Sequence, residues 1–201
     1  GAIALKYLSR PQDKMVGFIG VGDIAKVMAR AAAVVRPGFV GLAWSRKREN
    51  ADKFCRQMNS ELGLSFSSVA TAQELCGSAD VIYTQTPGVG PVLELGWLKP
   101  HATIIASGSD QPTKQELPVD VIAKSKYVPD LTRQVARVGE LRAAIAAGVC
   151  TESHVHAELG EVVNGNKPGR VGDELIVCDL TGTGAQDAAI GEVAYQKLCA
   201  K

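Results

Sequence analysis

Short apolar runs alternate along the chain with longer stretches whose apolar positions recur every three or four residues. Met15 to Ile19 is a run of the first kind and predicts a buried strand. Asp23 to Val35 is alanine-rich, has helical spacing and stops at Arg36, Pro37 and Gly38. A second strand is expected over Phe39 to Trp44, then a charged helix over Glu49 to Leu62. A short strand over Phe66 to Val69 leads into a helix from Thr71 to Cys76, closed near Gly77. Val81 to Thr84 and Thr103 to Ser107 read as further strands, with a turn at Leu98 to His101 between them. Glu116 to Ala123 and Gly139 to Ala147 read as helices, separated by a strand-like Tyr127-Val128. Strands separated by helices of this length predict parallel β-α-β units, and therefore a doubly wound α/β sheet.

The two ends depart from this rhythm. Gly1 to Arg10 has helical spacing, with Ile3, Leu5 and Leu8 apolar, and stops at Pro11 like the tail of a longer helix. Near the other end, Gly165 to Gly169 reads as a loop, Leu175 to Cys178 as a strand and Gly184 to Leu198 as an amphipathic helix. That last helix is expected in a different packing layer from the sheet.

Composition narrows the classes. At 201 residues and 46% hydrophobic, the chain has material for one full core, with or without an appendage. A net charge of +1 without a basic block, and only 5% aromatic residues, argue against a nucleic-acid binder. No apolar run approaches the roughly 18–20 residues of a membrane helix. Nothing at the start reads as a signal peptide. The five cysteines, Cys55, Cys76, Cys150, Cys178 and Cys199, are scattered without a Cys-x-x-Cys pair. They read as reduced thiols of a cytoplasmic protein rather than as disulfides or metal ligands.

The most specific local chemistry lies in Gly20-Val21-Gly22-Asp23-Ile24-Ala25, a Gly-x-Gly-x-x-Ala turn between a predicted strand and a predicted helix. Gly20 permits the tight turn, Gly22 lets the backbone approach a pyrophosphate, and Ala25 lets helix and strand pack closely. The helix N-terminus presents free amides to the anion. The context on both sides is that of a Rossmann-type dinucleotide site. Dinucleotide enzymes specific for NAD usually carry an acid at the end of the second strand to hold the ribose 2′-hydroxyl. Here that position is Ser45, followed by Arg46, Lys47 and Arg48. A hydroxyl and a guanidinium suit a 2′-phosphate, so NADP(H) is favoured and NAD(H) is the second candidate.

The chain resembles the ornithine cyclodeaminase/mu-crystallin family. The matching segments are Lys6 to Arg10, the glycine turn, Trp44 to Arg46 with Glu49-Asn50, Thr84 to Pro87, and Gly96 to Pro100. They continue through Gly108 to Leu117, His156 to Val162, Lys167 to Arg170, and Asp179 to Asp187. Besides the turn residues Gly20, Gly22, Asp23 and Ile24, the resemblance implies cofactor contacts at Ser45, Arg46 and Asn50 around the adenosine ribose. It implies others at Thr86 and Pro87, bordering the adenosine and the nicotinamide ribose, at Ser107 and Gly108 near the nicotinamide, and at Gly182. Asp110, in a Gly-x-Asp-x-Pro segment, corresponds to the acid–base group of the cyclodeaminases. Read without the resemblance, Asp110 is a turn residue before Pro112.

The resemblance also implies a longer full-length chain. Residues 1–10 would be the tail of a helix from a preceding substrate and dimerisation domain, which supplies an Arg and a Lys to the substrate carboxylate and is absent from this sequence. Residues 11–175 would form the dinucleotide-binding domain, and 176–201 would return to that other domain, with Ile190, Val193, Ala194 and Leu198 on its apolar face. The implied function is an NAD(P)-dependent oxidoreductase or cyclodeaminase acting on an amino acid or cyclic imine, a homodimer in its full-length form. The alternative is a non-catalytic NADPH or small-ligand binder of the mu-crystallin kind, or an inactive fragment. No metal is expected: His154 and His156, two apart, cannot share one ion on a helix, and read instead as a polar first turn capped by Thr151. Glu158 and Glu161 read as a solvated helix face, and Lys114 as a surface lysine.

Overall fold

The computed structural model describes residues 1–200. After a first helix α1 (Ala2–Leu8) come β1 (Met15–Ile19), α2 (Asp23–Val35), β2 (Val40–Trp44), α3 (Arg48–Leu62), β3 (Ser65–Ser68), α4 (Ala72–Ser78), β4 (Val81–Thr84) and β5 (Thr103–Ala106). The chain continues through α5 (Val119–Lys124), β6 (Lys126–Pro129), α6 (Thr132–Val138), α7 (Glu140–Ala146), α8 (Leu159–Val163), β7 (Ile176–Asp179) and α9 (Gly184–Cys199). The strands form one seven-stranded sheet in the order β3-β2-β1-β4-β5-β7-β6, with every pairing parallel. This is the doubly wound α/β fold. Its order reverses between β1 and β4, the place where such sheets open a crevice at their carboxyl ends.

Alternation along the strands sends side chains to two cores, one on each face. Val16, Phe18, Tyr83 and Ile105 pack with residues of α1, α2 and α3. Phe18 is central there: it stacks on Tyr83 at 5.3 Å and 5° and meets Phe54 and Phe66 at 5.5 and 5.9 Å. On the other face Ile19, Ile82, Ile104 and Val177 pack with residues of α4, α5, α6 and α7. The central strands are buried on both sides, which is why they read as continuous apolar runs. Serine-rich β3 lies at an edge and buries only Phe66.

Three segments differ from the sequence expectation. Glu116 and Leu117 are not helical. Their amides donate to the Glu140 carboxylate at 2.8 and 3.0 Å, and the helix starts only after Pro118. The seven-residue α6 had too little length to show a period, and the helix expected from Thr151 is a 3-10 turn at Glu152–His154 followed by the five-residue α8, which begins only at Leu159. The C-terminal strand β7 is inserted between β5 and β6, so the sheet continues past the boundary expected at 175/176. It is α9 that stands apart: none of its residues is buried, and Ile190, Val193 and Leu198 are exposed. No helix among the described residues is long and apolar enough to cross a membrane.

Candidate functional site

Because all strands run parallel, the ends of β1, β2, β4, β5 and β7 share one edge of the sheet. The glycine turn forms at the end of β1. Gly20 has φ +88°, a region that favours glycine, and a Cβ there would stand 2.7 Å from the Gln85 carbonyl oxygen. The turn is stitched on both sides: the Gly20 N–H donates to the Trp44 carbonyl at 3.1 Å, and Gln85 Nε2 donates to the Gly20 carbonyl at 2.6 Å. Gly22 is the N-cap of the thirteen-residue α2, with no side chain capping it. Nothing lies within 4 Å of where its Cβ would be. The turn therefore offers an open cradle over first-turn amides that no cap satisfies, a site that fits a pyrophosphate. Asp23 does not obstruct it. Its carboxylate is turned outward to Lys26 Nζ at 2.9 Å, and that pair holds its pKa below the usual range.

The end of β2 carries the other half of a nucleotide site. Ser45 is half-buried there, and Arg46 and Asn50 are exposed. Arg48 reaches Asp52 at 4.0 Å, whereas no carboxylate pairs with Arg46 among the described residues. Uncompensated cations beside a helix N-terminus work against its macrodipole, and an anion between them would reverse that.

On the far side of the crevice the loops after β4 and β5 run together. The last ladder bond joins the Ser107 N–H to the Thr84 carbonyl at 2.9 Å. Beyond it, the wholly buried Glu116 accepts the Thr86 N–H on Oε1 and the Gly108 N–H on Oε2, the latter at 3.0 Å. Burial raises the pKa of Glu116. Pro87 is exposed beside this bridge. Asp110 is exposed and receives Lys114 Nζ at 2.8 Å. Lys114 is thus half-buried and paired rather than a free surface lysine, and Ser109 Oγ closes the loop on its carbonyl at 2.8 Å.

Behind this loop lies a chain of buried acids that sequence reading missed. Glu140 accepts the Glu116 and Leu117 amides, and its own N–H donates to Asp179 Oδ2 at 2.8 Å. Tyr127 donates its hydroxyl to the same Asp179 oxygen. Desolvation pushes Glu140 up to about 8 and Asp179 up to about 7. Asp130 accepts the Thr181 and Gly182 amides at 2.8 and 2.7 Å, fixing the turn after β7 where Gly182 has φ +81°. Only a carboxylate standing next to apolar neighbours could have marked these acids, and Glu116 instead sits in a polar stretch that masked it.

The other polar residues singled out in the sequence bond within the fold. Glu158 accepts the Thr132 N–H at 2.8 Å and Glu161 the Glu158 N–H at 2.9 Å, so neither is simply a solvated carboxylate. His154 and His156 bond separate carbonyls, those of Ile122 and Pro168. Thr151 begins a short 3-10 turn without capping it, its hydroxyl being paired with Ser153. At the opposite end of the sheet Asp13, Asp80 and His101 converge. Each aspartate there is already paired, Asp13 with Arg10 and Asp80 with Lys99, both at 2.8 Å.

Known proteins share this architecture and sequence. A model of the ornithine cyclodeaminase/mu-crystallin family matches residues 1–201. Alanine dehydrogenase of Archaeoglobus fulgidus is 37% identical over 202 residues, covering 100% of this chain and 62% of its own. The Δ1-pyrroline-2-carboxylate reductase of Thermococcus litoralis, solved with NADH and L-proline, superposes with a TM-score of 0.94 at 31% identity, covering 98% of this chain and 61% of that one. The iminosuccinate reductase of Paracoccus denitrificans, solved with NAD+, gives a TM-score of 0.90 at 36% identity, over 95% of this chain and 58% of that one. The chain spans about 60% of the length of the curated relatives it matches. On the match over its whole length, the chain belongs to the ornithine cyclodeaminase/mu-crystallin family.

Proposed function

We propose that this chain holds a nicotinamide dinucleotide across the carboxyl ends of β1, β2, β4 and β5. In this reading it serves an NAD(P)-dependent oxidoreductase or cyclodeaminase acting on an amino acid or a cyclic imino acid. The observation that carries the reading is the open, uncapped turn at Gly20–Gly22, set at the point where the strand order reverses. Relatives solved with NADH and NAD+ support the cofactor class.

The residues divide the work by position. The amides at the start of α2 would take the pyrophosphate, with Gly22 giving it room. Ser45, Arg46 and Asn50 would surround the adenosine ribose. Arg46, without a carboxylate partner, supports a preference for the 2′-phosphate of NADP(H). Thr86, Pro87, Ser107 and Gly108 would border the nicotinamide end, with Gly182 at the same sheet edge. When bound, the dinucleotide supplies hydride exchange with the α-carbon of the amino or imino acid. Asp110 would move the accompanying proton: its carboxylate is exposed to an incoming substrate and is held in place by Lys114.

Turnover tests this directly. The protein is mixed with a cyclic imino acid and NADPH or NADH, and oxidation of the dinucleotide is followed by absorbance. Substrate-dependent oxidation supports the enzyme. Saturable dinucleotide binding with no turnover on cyclic imines or on keto acids with ammonia, and no ammonia released from ornithine with NAD+ or NADP+ (a cyclisation that returns the dinucleotide to its starting form), would favour the non-catalytic binder.

A further inference from the structure

Strands β4 and β5 are the adjacent pair whose following loops would flank the nicotinamide end. Their ladder runs from Val81–Thr103 to Thr84–Ala106 and closes with the Ser107 bond to Thr84. Past that rung nothing in the sheet holds the two chains in register, because each departs into its own loop. Glu116 enters at this point. One carboxylate oxygen takes the Thr86 N–H and the other takes the Gly108 N–H, so a side chain supplies the cross-link that the backbone no longer makes.

The seat is built from both sides. The Glu116 carbonyl accepts the Val92 N–H at 2.8 Å, and the Glu116 and Leu117 amides are fixed by Glu140, itself tied to Asp179. Gly108 completes it. A Cβ at that position would collide with all three atoms of the Glu116 carboxylate, although the Gly108 backbone itself is not in the left-handed region. Glycine is therefore needed there for the closeness of the glutamate and not for the turn.

We propose that Glu116 is a positioning residue of the dinucleotide site, whose carboxylate bridges the Thr86 and Gly108 amides and so sets the gap between the two loops that receive the nicotinamide end. The inference rests on the dinucleotide reading above and deepens it. It carries a restriction on contacts. The amides of Thr86 and Gly108 are both spent on Glu116 and the Thr86 hydroxyl already accepts the Gly88 N–H at 3.3 Å, so any bond these residues make to the cofactor comes from the remaining capacity of that hydroxyl or from carbonyl oxygens.

The test compares two probes that share the glycine turn but differ at the nicotinamide end: the intact dinucleotide and ADP. In Glu116→Gln one carboxylate acceptor becomes an NH2 group facing a backbone donor, so one strut of the bridge is lost. The expected result is a dinucleotide Kd raised by about tenfold, with the ADP Kd held within about twofold. A merely structural role would weaken both probes together or neither, and the ratio of the two constants separates the cases. Gly108→Ala is the second variant: it displaces the intact carboxylate from the same two amides, and the same change in ratio is expected. Wild-type protein that binds both probes, with a ratio unchanged in both variants, overturns the positioning role alone. Wild-type protein that binds neither probe overturns the dinucleotide reading, and this role with it.

Discussion

Two glycines two residues apart should respond to alanine in opposite ways. At Gly20 the backbone has φ +88° and a Cβ would stand 2.7 Å from the Gln85 carbonyl oxygen and 2.9 Å from Thr86 Cγ2. The conformation costs a non-glycine residue about 1–3 kcal/mol. Crowding against backbone adds about 1–3 kcal/mol. Reduced freedom of the unfolded chain returns only about 0.4–1 kcal/mol. Gly20→Ala should therefore lose about 1–5.5 kcal/mol, a fall of roughly 2–22 °C in Tm for a chain of this size. At Gly22 φ is −73° and the space for a Cβ is empty. The loss of a glycine N-cap, about 0.5–1 kcal/mol, is offset by a similar gain through the unfolded state, so Tm should stay within about 2 °C. Yet that Cβ would project into the cradle proposed for the pyrophosphate, and NADPH affinity should fall by about tenfold or more. The assay pairs thermal unfolding with a titration of NADPH fluorescence. A Gly22→Ala protein that melts like wild type and binds NADPH like wild type would refute the assignment of the turn to phosphate.

Three further outcomes follow from the same geometry. Arg46→Asp should shift preference from NADPH toward NADH by about 10–100-fold, the worth of one charge-assisted bond, and competition titrations with both dinucleotides would expose an unchanged ratio. Asp110→Asn should lower kcat by about 10²–10⁴ while leaving dinucleotide affinity in place; retained turnover would remove Asp110 from the proton step. The buried acids predict a pH dependence. Folded Glu140 and Asp179 titrate near 8 and 7, above their unfolded values of 4.5 and 3.8, so the folded state keeps protons that the unfolded state has lost. Their contribution is fully present below pH 4 and is lost as pH rises through 7 and 8, by up to about 1.4 kcal/mol per unit for each group. Unfolding measured from pH 5 to 8 should show stability falling, and Glu140→Gln should flatten the slope; a wild-type curve that rises over that window would contradict the burial of these charges.

The sheet was legible because its strands are buried on both faces and read as unbroken apolar runs, as at Val81 to Thr84. The glycine turn was legible because its residues are dictated by backbone geometry, with Gly20 in a conformation that side chains avoid. What escaped has a common cause. The acids Glu116, Glu140 and Asp179 are buried through contacts over 24 and 39 residues, and no local period encodes such partners. Glu116 was read into a helix because charge and spacing suited one; tertiary capture of its amide by Glu140 prevailed. Strand β7 lay beyond the expected domain boundary because a four-residue run carries no information about the strands it will enter between. Helix α9 shows the reverse case, an apolar spacing visible in sequence that meets no core among the described residues.

Whether the turn at Gly20–Gly22 holds a dinucleotide is decided by a calorimetric titration of the wild-type protein with NADPH, then separately with NADH. Saturable one-to-one binding is expected, tighter for NADPH than for NADH. No saturable heat with either nucleotide would contradict it, and would leave the glycine turn as a feature of the fold alone.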